Sequence, residues 1–464
     1  MTIKRIFDVV VVGAGLSGLQ AAHVVKSAGL TVCVLEATER VGGKTLTMRS
    51  TERGFNDLGA AWINDTTQSE MFKLYKRYGM DAEVQRACGY DVIQLADGSA
   101  IKTPYGQIPG DAKLLQEMLQ LLRTESSKVN LNSPCDSDGA REIDKLTFGQ
   151  FCVQRTNNTE ATGYADTLCA ELLGVESNEV SALYMLHYFK CATGIDNIIS
   201  DEKDGGQYLR NRQADELGNQ TISKKLAEEL DSNTVKLRTP VVSIDQSQKD
   251  KCVILTGTGE SIYCRKVIIS IPTTLYHTIS FDPPLPATKT TLSDNAVMGY
   301  YSKMVFVFKE PWWRKAGFSG VLNTETGPIR FTRDTSIPAD DQWSITCFIV
   351  GERGRTWSKL SRSARYNQAW EQLSQSFGKL VHDVPFPSNH LEMEWSKQAF
   401  FLGAPCPVMT PGTLTSVGEN LTRPFKNVHF VGTETATVWR GYMEGAVRSG
   451  QRGGAEVVKA LCEI

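Results

Sequence analysis

Residues 8–36 read Asp8-Val-Val-Val-Val-Gly13-Ala-Gly15-Leu-Ser-Gly18, then LQAAHVVKSAGLTVCVL, then Glu36, and this stretch decides the fold. Val9 to Val12 is an unbroken run of β-branched apolar side chains, the pattern of a buried strand. The run stops at Gly13-Ala14-Gly15-Leu16-Ser17-Gly18, a complete G-x-G-x-x-G. Residues 19–28 read as a helix closed by Gly29, and residues 31–35 as a second strand ending on Glu36. In that setting Gly13 permits the tight turn, Gly15 lets backbone approach a pyrophosphate, and Gly18 lets helix and strand pack closely. The helix N-terminus offers free N–H groups and a partial positive charge to the phosphates. Glu36 is placed to accept both hydroxyls of an adenosine ribose and to repel a 2′-phosphate. The alternative, an ordinary βα turn, leaves the correctly spaced acid unexplained. The fingerprint alone does not separate NAD from FAD.

With 464 residues the chain exceeds one core and is expected to form two or three domains. A hydrophobic content of 41% and a charged content of 22% are those of an ordinary globular protein. The formal net charge of −2 gives no nucleic acid or membrane surface anything to attract. The 11 cysteines are scattered without a C-x-x-C, which points to reduced thiols and to no metal site. No apolar run approaches the roughly 20 residues that a membrane span takes. The chain enters its first strand without a signal peptide, and Leu461-Cys462-Glu463-Ile464 is not a peroxisomal tripeptide, so a cytoplasmic location is expected.

Beyond Glu36, Glu39-Arg40-Val41-Gly42-Gly43-Lys44 pairs two glycines with two cations, as a loop around a pyrophosphate needs. Gly59-Ala60-Ala61-Trp62 puts small residues where a flat ring can lie against backbone. Residues 67–78 read as a helix with a Thr67/Glu70 capping box and an apolar face of Met71, Leu74, Tyr75 and Tyr78. Residues 82–103 read as strands around an Asp97-Gly98 turn, 114–122 as a helix, 126–140 as a loop, and 146–188 as helices with an aromatic cluster in 183–189. The character changes near Gln213. Residues 235–237, 241–244, 252–255, 262–264 and 267–271 read as short strands that complete a nucleotide-binding domain. Residues 304–308, 343–350 and 390–395 read as strands and 364–377 as a helix. Near the C-terminus a strand at 428–431, Gly432-Thr433-Glu434, and a helix opening near Met443 and Ala446 make a second anion site. A cofactor touching both chain ends is long, which favours FAD, and no second G-x-G-x-x-G provides for NAD(P)H.

From these blocks, together with Lys309-Glu310-Pro311-Trp312-Trp313 and the run from Phe430 to Ala446, the chain resembles the flavin-dependent monoamine oxidases along its whole length, and specifically the soluble fungal branch. The resemblance implies an α/β fold: a Rossmann-like, glutathione-reductase-like FAD-binding domain (1–80, 212–286, 396–464) with an inserted α+β substrate domain (81–211, 287–395). It implies that Gly13, Gly15, Leu16, Ser17, Gly18 and Glu36 hold the ADP half. Arg40, Gly42, Gly43 and Lys44 hold the pyrophosphate and ribityl chain, and Val242 meets the adenine end. Gly59, Ala60, Ala61, Trp62, Gly432, Thr433, Glu434, Met443 and Ala446 surround the flavin. It implies that Lys303 holds a water for the reaction with dioxygen, that Trp395 and Tyr442 flank the flavin, and that Ile199, Gln207 and Phe331 line or gate the substrate cavity.

Two departures stand out. Ungapped spacing from Trp395 to Gly412 puts Ala404 where mammalian relatives carry the flavin-linked cysteine, so noncovalent FAD is expected, with Cys406 the nearest thiol. The second ring of the aromatic pair guiding the amine falls at Pro405 or Cys406, so that pair is expected to be half-built around Tyr442. The expected activity is oxidation of a small amine to an imine with dioxygen, releasing hydrogen peroxide. An oxidocyclase acting on a bulky, alkaloid-like secondary metabolite and a catalytically silent flavin-fold binding protein are the competing readings. A homodimer is implied by resemblance alone.

Overall fold

The computed structural model describes residues 6–107, 110, 112–212 and 218–462. The change of character near Gln213 and the terminal Glu463 and Ile464 lie outside these residues.

The opening strand, Ile6–Val12, lies inside an eight-stranded sheet. It pairs in parallel with Val32–Leu35 on one side and Ser261–Ile269 on the other. Val9, Val10 and Val11 are fully buried: Val9 and Val11 share a core with the helix residues Leu19, Val25 and Val447, and Val10 shares one with Ile244, Ile254 and Tyr276 on the other face. The sequence reads 262–264 and 267–271 as separate strands, but the chain makes one, Ser261–Ile269. Its first half pairs antiparallel with Lys251–Thr256, and its second half pairs parallel with Val428–Phe430. The polar Arg265-Lys266 pair that hid this continuity marks the change of partner.

The first helix, Leu16–Ser27, starts three residues earlier than its apolar pattern and so includes part of the glycine motif. The last helix, Met443–Cys462, packs on it through glycines. A Cβ on Gly450 would come 2.3 Å from the Ser17 carbonyl oxygen, and one on Gly454 would come 2.7 Å from Val24 Cβ. The expected capping box at Thr67/Glu70 does not form. The helix is Ser69–Arg77, and Thr67 bonds Asn64 instead. Its N-terminal amides are served by a distant carboxylate: Glu444 accepts from Glu70 N at 3.2 Å and Met71 N at 2.7 Å. Met71, Leu74 and Tyr75 form the buried face as the spacing requires.

A second, seven-stranded sheet runs in the order Asn389–Glu394, Tyr301–Phe308, Trp343–Val350, Phe331–Asp334, Phe318–Thr324, Tyr90–Gln94, Ala100–Pro104. Helices Ala112–Lys128, Phe148–Thr156, Ala161–Leu173 and Ala182–Cys191 share a further core containing Leu183, Phe189 and Trp439. The first of these reaches Lys128, so part of the segment expected as loop is helix. Among the described residues, no helix is long and apolar enough to cross a membrane.

Asp334 holds this second sheet to its flanking turn. It is 1% exposed, and it accepts from Arg314 Nε (2.6 Å) and Nη2 (3.0 Å), from Trp313 Nε1 (2.9 Å) and from Ser336 N (3.0 Å). These bonds hold its carboxyl below the usual range against the cost of burial. Asp334→Ala strands the Arg314 charge and is expected to cost about 3–5 kcal/mol. Urea unfolding of the two proteins checks this, and a midpoint unchanged in the variant would refute it.

Candidate active site

A cavity of about 370 Å³ runs from the glycine motif to the second sheet. At one end it is lined by Gly13, Gly15, Leu16, Ser17 and Glu36, then by Gly42, Gly43 and Lys44. Gly59, Ala60, Ala61, Trp62, Gly432, Thr433, Glu434, Met443 and Ala446 line its middle, with Lys303, Trp395 and Tyr442. Ile199, Gln207, Phe331 and Pro405 line the far part. Chain segments several hundred residues apart therefore meet as their motifs require.

Four candidates do not line it. Gly18 is structural: its added Cβ would meet the Gly13 carbonyl oxygen at 2.0 Å. Arg40 turns inward to brace its own loop, donating to Gly43 O (2.7 Å) and Thr45 O (2.9 Å). Val242 is 39% exposed, and its neighbours Pro240 and Val241 face the cavity instead. Cys406 is buried, with Sγ 3.7 Å from the Tyr184 hydroxyl on the helical side.

The first part of the cavity fits a dinucleotide. No side chain caps the helix at Gly15, so its first amides are free for phosphate. A Cβ on Gly15 would find only Gly43 Cα, at 3.8 Å, which leaves open space where a phosphate passes. Glu36 is 6% exposed, lines the cavity, and is fixed by bonds from Ala14 N (2.8 Å), Thr38 N (2.9 Å) and Thr38 Oγ1 (2.7 Å). Lys44 donates to the Ala404 carbonyl. Burial pulls its pKa down to about 8, while the Glu434 carboxylate opposes that shift.

Lys303 is buried. The strand Tyr301–Phe308 carries it, and Nζ donates to Gly59 O (2.5 Å) and Asp57 O (3.3 Å). The ammonium lies 5.4 Å from the Trp62 ring centroid and 5.2 Å from that of Phe348. Burial lowers its pKa, and the Asp57 carboxylate works against this. Trp395 is fixed by Nε1 donating to Leu58 O at 2.9 Å.

The ring beside Tyr442 comes from neither 405 nor 406. Tyr188 lies 6.5 Å away, tilted by 31°, and Trp439 meets Tyr442 edge-on at 4.8 Å. Tyr188 belongs to the aromatic cluster at 183–189, but helical periodicity alone does not say which of its rings faces a cavity. Sequence reasoning also missed Tyr301, Phe348, Glu171 and Arg333. The signal available was the period-two alternation Tyr301-x-Lys303 and Phe331-x-Arg333. Among the described residues, no group of three or more His, Cys, Asp or Glu is placed to hold a metal.

A profile described as "Flavin containing amine oxidoreductase" matches residues 16–458. The chain is 31% identical over 466 residues to the "Probable flavin-containing monoamine oxidase A" of Dictyostelium discoideum, covering 99% of each. It is 31% identical over 469 residues to human "Amine oxidase [flavin-containing] B", covering 98% of this chain and 87% of that one. Cyclohexylamine oxidase from Brevibacterium oxydans superposes with a TM-score of 0.88 at 27% identity, covering 98% of this chain and all of that one. A putrescine oxidase superposes with a TM-score of 0.89 at 24% identity, over 98% of this chain and 100% of that chain, which speaks to fold alone.

Proposed function

The chain belongs to the family of flavin-containing amine oxidoreductases, FAD-dependent enzymes, and from that premise we propose that it oxidises an amine C–N bond to an imine with dioxygen as acceptor, releasing hydrogen peroxide. The observation that carries this reading is the single cavity joining the phosphate cradle at Gly15 to a chamber walled by Tyr188, Tyr301, Phe331 and Tyr442. When bound, FAD supplies the two-electron oxidant for the amine's α C–H. The residues of the chain do the rest. The aromatic walls exclude bulk water and favour the neutral amine over its ammonium form. Tyr442 and Tyr188 orient the amine, and Lys303 keeps a positive charge at the wall where dioxygen gathers negative charge. Trp395 holds the Leu58 carbonyl and so the backbone around Gly59.

We also propose that FAD is held without a covalent bond. Ala404 has no thiol, and the Cys406 thiol lies off the cavity with its pKa pushed up to about 11 by burial. Denaturing the yellow protein with guanidinium and filtering it should leave all the flavin in the filtrate. Flavin retained with the chain would overturn this. The function itself is tested by hydrogen peroxide release over a panel of alkyl, benzyl and secondary amines. No turnover, from protein whose flavin dithionite still reduces, would sink the simple-amine reading and return the search to bulky nitrogen-containing metabolites.

A further inference from the structure

The strand Phe331–Asp334 sends alternate side chains to opposite faces. Thr332 and Asp334 face inward, where Thr332 Oγ1 donates to Gly320 O at 2.7 Å and Asp334 holds Arg314. Phe331 and Arg333 face the cavity. Phe331 stacks on Phe348 at 4.3 Å and 7°, and the Arg333 guanidinium lies 5.3 Å from the Phe331 centroid. The one hydrogen bond this guanidinium makes within the described residues runs from Nη1 to the carbonyl of its own neighbour, Thr332, at 3.2 Å. Two nearby arginines are already spent: Arg330 donates to Thr167 Oγ1 at 2.5 Å, and Arg353 to Thr324 O and Glu325 O.

Glu171, on the helix Ala161–Leu173, lines the same end. Its backbone carbonyl accepts from the Tyr301 hydroxyl at 2.9 Å. Burial raises its carboxyl pKa although Arg333, Arg330 and Arg353 pull the other way. Of these three arginines Arg333 alone lines the cavity, and its charge is felt by Glu171 and by Asp91. A part-buried guanidinium with unused donors calls for an oxyanion, and its planar fork fits a carboxylate with two parallel bonds.

We infer that the substrate carries a carboxylate remote from the amine that is oxidised, and that Arg333 binds it. This assignment of the amine end rests on the function proposed above. Arg333 stands two strands, about 10 Å, from Lys303, which lines the middle of the cavity with Tyr442, so the carboxylate binds in the far part and not beside the amine. A free α-amino acid, with its charges on adjacent atoms, is too short. An ω-amino acid or a ring-bearing equivalent has the needed span.

The test compares 6-aminohexanoate with 6-aminohexanamide, hexylamine and 1,6-diaminohexane as substrates of the FAD-loaded enzyme. The carboxylate is expected to lead by about tenfold or more in kcat/KM. In Arg333→Gln that lead should vanish through KM with kcat kept, and Arg333→Lys should restore part of it. Equal rates across the series would overturn the inference, and so would a lead for the diamine that Glu171→Gln removes. Calorimetric binding of 4-phenylbutyrate against its amide needs no turnover and separates this inference from the proposed reaction. Carboxylate binding that weakens in Arg333→Gln supports it even if no amine is oxidised. Equal binding of acid and amide overturns it even if amines are oxidised. If Arg333→Gln does not fold, the wild-type comparison and Arg333→Lys still decide.

Discussion

Lys303→Met is expected to slow the reaction with dioxygen by about 100-fold, the scale of losing one preorganised charge in a water-poor site. Reduction by amine under anaerobic conditions should change far less. The reasoning starts from burial. An ammonium held at 5% exposure by two backbone carbonyls is a fixed positive charge, and its field is not screened as it would be in water. The pH dependence has a definite sign. Burial lowers the pKa of Lys303, so its charge is present at low pH and is lost on raising pH sooner than for an ordinary lysine. The wild-type rate with dioxygen should therefore fall toward that of the variant as pH rises, while the variant's rate stays flat. Methionine also abandons the Gly59 and Asp57 carbonyls, so Lys303→Gln is the control: it keeps a donor and drops the charge. A Gln variant that reacts with dioxygen like wild type would reduce Lys303 to a strut for residues 57–59.

Gly15→Ala is the second large effect, and it works without disturbing the apoprotein. Gly15 has φ −74°, which any residue adopts, and its added Cβ meets only Gly43 Cα at 3.8 Å. The chain should fold normally. The methyl group, however, stands where backbone amides must reach a phosphate, and FAD affinity is expected to fall by about 100-fold, near 2.7 kcal/mol. Gly18→Ala makes the contrast. Its Cβ would lie 2.0 Å from the Gly13 carbonyl oxygen, so this variant should lose stability in the apo form. Flavin titration and thermal unfolding of both apoproteins separate the two. Equal effects on stability would show that the two glycines are not doing different jobs.

The parts of the molecule legible in the sequence are those whose signal is local. Val9 to Val12, the glycine turn and Glu36 describe their own geometry within thirty residues, and the cradle forms from them. Where a partner lies far away in the chain, the local pattern misleads. Thr67 and Glu70 have the spacing of a capping box, but Glu444 takes the amides that the box would have served. Arg40 has the charge of a phosphate ligand, but three loop carbonyls claim its guanidinium first. Alternation puts Phe331 and Arg333 on one face of a strand, yet nothing within the strand says whether that face meets a core or a cavity. Linear spacing puts the position that accompanies Tyr442 at Pro405 or Cys406, neither aromatic, whereas the ring next to it, Tyr188, arrives from a helix.

The bond from Glu444 to the helix Ser69–Arg77, with the glycine face of Met443–Cys462 on Leu16–Ser27, bears on how the protein is made. A ribosome delivers the opening strand and its turn first and the residues that brace them last. Throughout translation the early helices lack a neighbour that has not yet been synthesised. A chain that ends before residue 443 lacks both this brace and the Met443 and Ala446 wall of the cavity, so it is expected to bind FAD poorly however much of the second sheet it contains.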